Sequence, residues 1–382
     1  MPSSPPNAHL LIRCAAGNSL SILAIATLTL LAACSNNNPD PTGTSTPSPT
    51  ATRGPAVSPV LPDVPIDIAR ADQLYYEGAF EEALAIYSAA AQNGTDEEQR
   101  QGLFAMAKIQ SQRGENSAAE RNLEALREKS PSPEIDRAAL LLQGKAEFGQ
   151  GDFDEARVAF EEYIEVAGPA TPYALLYLAQ IERQQNNTQE AVAYLEEALL
   201  ADLPAAQKYE AYTAMGQIHD EAGDGVSAIF DYQRAADVAP TSSDEAEALW
   251  MLGLVADGAG NDAVADNAFR QLIIEFPAGE KALGALDHPR VAGTGLITDR
   301  ERAYVLFRNF YNDDATVVYQ AISDAGGPGA AEAQYYLGIL SERYEQYDNA
   351  IAHYDAVRIG SGAEELPSNI SEKAGFQLDL ML

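Results

Sequence analysis

The chain has 382 residues, 46% of them hydrophobic, a formal net charge of −33 and two cysteines. Such an excess of acid repels phosphate backbones and anionic headgroups, so nucleic acid is excluded as a partner, and the acidity reads as solubility in an exposed compartment. Only Cys14 and Cys34 exist, and the first falls in a segment that reads as a cleaved signal. No disulfide or cysteine metal site is expected in the mature chain, which leaves stability to packing.

Arg13 is the only charge among residues 1–33, the run Leu20 to Leu31 is almost wholly apolar, and Leu31-Ala32-Ala33-Cys34 closes it. That apolar core is shorter than the roughly 20 residues a spanning helix needs, and no stop-transfer charges follow, so residues 1–33 predict a cleaved signal peptide. The closing tetrad resembles the lipobox of bacterial lipoproteins. The resemblance implies that Leu31, Ala32 and Ala33 present the cleavage site. It implies that Cys34 carries the lipid, diacylglyceryl and further acyl (palmitate) chains that hold a protein firmly to a membrane. The location it implies is extracytoplasmic and lipid-anchored to the cell membrane, and Ser35 resembles the outer-membrane sorting pattern for an organism with such a membrane. Residues 34–62 then supply a tether. Their Ser, Thr, Pro, Asn and Gly cannot bury enough apolar surface to fold, and a random coil of this length reaches about 30 Å.

From residue 63 the composition turns globular and a period emerges. The alanines Ala83, Ala119, Ala156, Ala191, Ala228, Ala265, Ala315 and Ala350 succeed one another at steps of 36, 37, 35, 37, 37, 50 and 35 residues. Twelve residues before each stands Ala or Gly: Ala71, Ala107, Gly144, Ala179, Gly216, Gly253, Ala303 and Gly338. Four residues after each stands a large apolar or aromatic residue: Tyr87, Leu123, Phe160, Leu195, Tyr232, Phe269, Tyr319 and Tyr354. Two antiparallel helices per unit explain the pattern. The small residue of the first helix and the alanine of the second meet at the crossing, and the large residue one turn on fills the gap beside it. Glycines in the turns 77–80, 150–153 and 222–225 predict left-handed helix ends, with Asp or Asn to cap the second helix of the unit. Pro131, Pro240 and Pro277 stop second helices.

These residues, and Leu252-Gly253 with Ala265, Phe269 and Pro277 above all, resemble the tetratricopeptide repeat. The resemblance implies an all-α, right-handed solenoid of about eight helix-turn-helix units. Units 1–6 fall in residues 63–286 and units 7–8 begin at 299. The 50-residue step holds extra residues within 286–298, where Pro289, Gly293 and Gly295 predict an insertion loop (287–298) dividing six units from the last two. Residues 371–382 read as the opening of a further helix, with Phe376, Leu378, Leu380, Met381 and Leu382 left uncovered.

The sequence points to no catalysis. His9, His219, His288 and His353 lack metal-ligand spacing, no nucleophile elbow or phosphate loop is present, and the paired glutamates belong to solvated faces. Neither a metal nor a cofactor is expected. Binding is what a solenoid offers, through the concave groove lined by first helices. One residue after each small crossing residue the side chain is expected to face that groove, which nominates Lys108, Lys145 and Gln180, with Arg183 a turn beyond. Lys108 and Lys145 are two of only six lysines and could hold a carboxylate of a peptide or of a wall polymer. Tyr76, Phe104, Tyr173 and Trp250 are the aromatic candidates. The function expected is a non-enzymatic, membrane-anchored scaffold that binds peptide or protein segments in an envelope complex. Residues 288–322, with the tyrosines beyond them, also resemble the superhelical, non-catalytic region of soluble lytic transglycosylases. That likeness implies an alternative, the part of such an enzyme that positions peptidoglycan.

Overall fold

The computed structural model describes residues 64–129, 133–327, 329–360 and 369–381. The signal segment, Cys34, the tether, Pro131 and Leu382 lie outside these. All regular structure among the described residues is helical. The units are α1 (Ile68–Tyr76) with α2 (Phe80–Asn93), α3 (Asp96–Gln112) with α4 (Asn116–Arg127), α5 (Pro133–Gln150) with α6 (Phe153–Glu165), and α7 (Thr171–Gln184) with α8 (Thr188–Leu199). They continue with α9 (Ala205–Glu221) and α10 (Gly225–Val238), then α11 (Ser242–Gly258) and α12 (Asp262–Glu275). After a short α13 (Glu280–Asp287) come α14 (Asp299–Arg308) with α15 (Asn312–Ala325), α16 (Ala330–Arg343) with α17 (Tyr347–Gly360), and finally α18 (Ile370–Met381). Each helix packs on the next, and α1, α3 and α5 also touch in series, as a stack of hairpins requires.

Five residues before each repeat alanine the backbone turns left-handed. Glycine takes this place in units 1, 2, 3, 5 and 6 (Gly78, Gly114, Gly151, Gly223, Gly260), and Asn186, Phe310 and Glu345 take it in units 4, 7 and 8, with φ between 58° and 87° throughout. The chain thereby reverses in the same way eight times. Caps start many of the helices. Thr95 and Glu98 form a capping box on α3, Thr298 and Glu301 another on α14, and Pro133 and Pro172 stand in first turns, where a missing N–H costs nothing. Asp224 and Asn261 cap as expected, whereas Asp152 makes no side-chain cap bond.

The period is also the core. All eight repeat alanines are fully buried, as are the small residues twelve positions earlier and the large ones four positions later. The glycines of the first helices answer the rings of the second. A Cβ on Gly144, Gly216 or Gly253 would stand 2.7, 3.0 and 2.7 Å from the ring of Phe160, Tyr232 or Phe269, and one on Gly338 would press still closer on Tyr354. Units 2 and 4 have alanine there and leucine opposite (Ala107 with Leu123, Ala179 with Leu195), while units 1 and 7 set alanine against a tyrosine (Ala71 with Tyr87, Ala303 with Tyr319).

One helix was not foreseen, and one expectation needs correction. Residues 288–298 are irregular, but the short α13 precedes them within the stretch assigned to unit 6, and the core is not divided there. Ala282, Ala285 and Leu286 of α13 are buried with Val291 in one apolar cluster running without a break from Ala228 to Leu340. The irregular stretch after α13 is pinned by Arg290, which meets Asp257, Asp262 and Asp266, its guanidinium 2.5 Å from Asp257 and 3.1 Å from Asp266. The final helix, likewise, is not bare. Ile370, Ala374 and Leu378 of α18 are buried against Ala350, Tyr354 and Val357 of α17, so among the described residues of the expected apolar tip Leu378 is covered while Phe376 and Leu380 stand exposed.

Candidate functional site: a pocket between the first helices

The first helices of units 1 and 2 enclose a pocket of about 360 Å³. Ile68, Asp72, Tyr75 and Tyr76 come from α1; Gln101, Phe104, Ala105 and Lys108 come from α3; Tyr87 of α2 and Ile135 of α5 complete it. The helical repeat explains the grouping, since residues at i, i+4 and i+7 share a face: Ile68, Asp72 and Tyr75 on one helix, and Gln101, Ala105 and Lys108 on the other. Tyr75 meets Tyr76 and Phe80 edge-on, with centroids 5.4 and 5.7 Å apart, and Gln112 Nε2 donates to its hydroxyl at 2.7 Å. The Lys108 ammonium stands 4.3 Å from the Tyr75 ring centroid, a cation–π contact. Tyr87 donates from its hydroxyl to Asp72 Oδ1 at 2.6 Å. Burial first and the Asp72 hydrogen bond second push the Tyr87 hydroxyl far above its ordinary pKa, so it stays protonated and keeps donating. The pocket thus has aromatic walls, a cation on one side and a carboxylate on the other. That suits the mixed apolar and polar surface of a polypeptide segment.

The structure brings together three of the residues nominated from sequence, Tyr76, Phe104 and Lys108. Tyr76 is 84% exposed, an unusual state for so large a ring. Lys145 and Gln180 are exposed and pair with no described residue, so no continuous cationic strip extends from Lys108. Arg183 is exposed but occupied, donating from Nη2 to Gln217 at 3.0 Å. Tyr173 is partly exposed on α7. Trp250 corrects its nomination. It occupies the register of Phe104 in unit 6, yet it packs against Phe269 and His288 at 5.8 and 6.4 Å, with Gly284 of the inserted helix beside it. The insertion fills in unit 6 the space that is open in unit 2.

Sequence reasoning missed the buried ionic contacts. Glu182, 2% exposed, receives Arg157 of the preceding unit at 2.8 Å and the amide of Asn187 at 2.7 Å. His219 Nδ1 lies 2.7 Å from Asp231, whose carboxyl burial pushes upward and His219 partly restores. These pairs join helices within or between units, and the twelve-residue offset of His219 from Asp231 is the only trace they leave in the sequence. Among the described residues, no cluster of His, Cys, Asp and Glu is arranged to hold a metal ion, and no helix is long and apolar enough to cross a membrane.

Residues 141–211 and 302–364 match one tetratricopeptide repeat model, and residues 247–278 match another. No curated protein sequence matches the chain. Among solved structures it is similar to a tetratricopeptide repeat protein from Parabacteroides merdae ATCC 43184, at 17% identity over 74% of this chain and 99% of that one, with a TM-score of 0.39. It is also similar to PilW, titled a widely conserved type IV pilus biogenesis factor (19% identity, 57% of this chain, 96% of that one, TM-score 0.43). A third similarity is to MamA (19% identity, 53% of this chain, 99% of that one, TM-score 0.39). The matched repeats, and the buried period that carries them through all eight units, make the described chain an all-α tetratricopeptide-repeat solenoid.

Proposed function

We propose that this chain is a non-enzymatic scaffold, held outside the cytoplasm by lipid on Cys34, that binds an extended segment of a partner protein in the pocket between α1 and α3. Tetratricopeptide repeats serve as protein-interaction scaffolds, and the observation that carries the reading here is the open pocket where Tyr76, Phe104 and Lys108 converge. Its aromatic walls bury apolar side chains, while Lys108 and Asp72 fix the register of the segment. Residues 34–62 would let this pocket reach partners about 30 Å from the membrane.

Two measurements test the two halves separately. Cells fed radiolabelled palmitate should label the full-length protein and fail to label Cys34→Ala; label on the variant would sink the anchor. A photo-crosslinking side chain at position 76 should capture a defined partner, and Lys108→Glu or Phe104→Ala should abolish that capture. Capture indifferent to both substitutions would remove the pocket from the function. Sedimentation with isolated peptidoglycan that is lost on the same substitutions would instead make the wall polymer the ligand.

A further inference from the structure

Unit 7 turns on aromatic residues where the other units do not. The left-handed position and the residue after it read Gly-Ala, Gly-Glu, Gly-Asp, Asn-Asn, Gly-Asp and Gly-Asn in units 1 to 6. In unit 7 they read Phe310-Tyr311, with Phe310 at φ 63° and 72% exposed. A bulky residue in this conformation costs roughly 1–2 kcal/mol that glycine does not. The exposed ring returns to the fold a cation–π contact with Arg343 at 4.9 Å. Two unfavourable features at one residue, with a cheaper residue in the same place in five other units, point to a role outside folding.

The neighbouring unit continues the surface. Tyr344 and Tyr347 are exposed at the turn of unit 8, and Val317 is exposed on α15. Tyr344 donates from its hydroxyl to Asp313 at 2.5 Å, and Arg343 donates from Nη1 to Asn312 Oδ1 at 2.7 Å, so the two turns form one edge. Arg343 also shows what these rings accept. Its guanidinium lies 4.1 Å from the Phe307 ring centroid and 4.9 Å from that of Phe310. Around the rings, Asp313, Asp314, Glu345 and Asp348 are exposed, and among the described residues none of them is ion-paired.

We propose that this edge, Phe310, Tyr311, Tyr344 and Tyr347 with the carboxylates between them, docks an extended arginine- or lysine-bearing segment of a partner protein. Cationic side chains would lie over the exposed ring faces as Arg343 does, and their charge would be met by the surrounding aspartates and glutamate. A second copy of the chain does not fit, because each carries a formal charge of −33 and presents the same acidic edge. The surface is separate from the pocket of units 1 and 2, so the inference stands independently of the function proposed for that pocket.

The test uses the full-length protein and a fluorescein-labelled peptide of alternating arginine and proline, with binding read as anisotropy at physiological salt. Phe310→Gly with Tyr311→Asn installs the Gly-Asn of unit 6, and Tyr344→Gln with Tyr347→Thr installs residues of unit 4. Both double variants keep the formal charge, so long-range attraction is constant, and both place residues that other units of this chain carry at the same turn positions. Each is expected to weaken binding about 10-fold with no fall in melting temperature. Asp313→Asn with Asp348→Asn should weaken it comparably, and Tyr76→Ala with Phe104→Ala should leave it unchanged. Equal binding by the wild type and the aromatic variants would overturn the proposal, as would loss on the Tyr76 and Phe104 substitutions alone, or equal affinity for a peptide with alanine in place of arginine.

Discussion

Replacing Gly253 by alanine tests how tightly glycine and ring are matched in units 3, 5, 6 and 8. The added Cβ would stand 2.7 Å from the ring of Phe269, which is fully buried and has no room to withdraw. Overpacking of this kind costs about 1–3 kcal/mol, while exchanging glycine for alanine inside a helix returns about 1 kcal/mol, so Gly253→Ala should lose about 1–2 kcal/mol at most. Phe269→Leu alone leaves a gap and should lose about 1–2 kcal/mol. The double variant has the Ala–Leu pairing that units 2 and 4 use at the same positions. Gly253→Ala should therefore destabilise the wild type and stabilise the Phe269→Leu background, a coupling of about 1–3 kcal/mol. Urea unfolding of the four proteins, monitored by far-ultraviolet circular dichroism, measures it. Additive effects within about 0.5 kcal/mol would refute the claim that ring and glycine are matched across the helix crossing. The same substitution should be harshest at Gly338, where the ring is nearest, and mildest at Gly216, where it is 3.0 Å away.

The tyrosines of the same register should respond with opposite signs. The Tyr319 hydroxyl is buried with no hydrogen-bond partner, so Tyr319→Phe should stabilise by about 1 kcal/mol, whereas Tyr87→Phe, which strands Asp72, should destabilise by about as much in a thermal melt. Glu345 holds a left-handed φ of 58° where glycine serves five units, and Glu345→Gly should raise stability by about 1 kcal/mol, with the control Gly260→Ala lowering it. Glu147 is buried, its Oε2 has no partner, and burial, with Glu120 and Glu155 nearby, holds its pKa above the usual carboxylate range despite the amide of Gln143. The folded state then keeps this proton longer than the unfolded chain does, so stability falls as pH rises from about 4.5 toward the raised value. Glu147→Gln should remove that part of the pH profile and stabilise at pH 7; a profile identical to wild type would contradict the assignment.

The fold was legible because its determinants recur. One alanine per unit says little, but eight in phase with a small residue twelve before and a large one four after describe a helix crossing, and every one of those positions is buried. Turns were legible where glycine marks them and hidden where Phe310 and Glu345 take the same φ, since neither residue signals a left-handed turn. The inserted helix α13 escaped because its period is too short, at eight residues, to separate from a loop bounded by Pro289. At the pocket, helical spacing grouped Phe104 with Lys108 but not with Asp72 and Tyr87, whose meeting depends on how two hairpins stack. Trp250 failed as a groove residue for a related reason. Its register matched Phe104, yet a segment more than thirty residues downstream covers it.

The positions that packing does not require are therefore the ones to read for function. Folding asks each unit for three buried residues and one left-handed turn, and the eight units supply these with little variation. The Gly-Asn turn of unit 6, at φ 71°, would close unit 7 as well as the Phe-Tyr pair does at φ 63°, with less strain and less exposed apolar surface. Likewise, nothing in the core of unit 1 needs a tyrosine at position 76, which stands 84% exposed beside the pocket. Both sites give up stability that the repeat elsewhere retains. A solenoid tolerates this because each unit contacts mainly its neighbours, so a local cost at one edge is carried by one interface and not by the whole array. That locality lets one chain hold two separate docking surfaces, and it requires that substitutions at Phe310 and at Tyr76 act additively on stability and independently on binding.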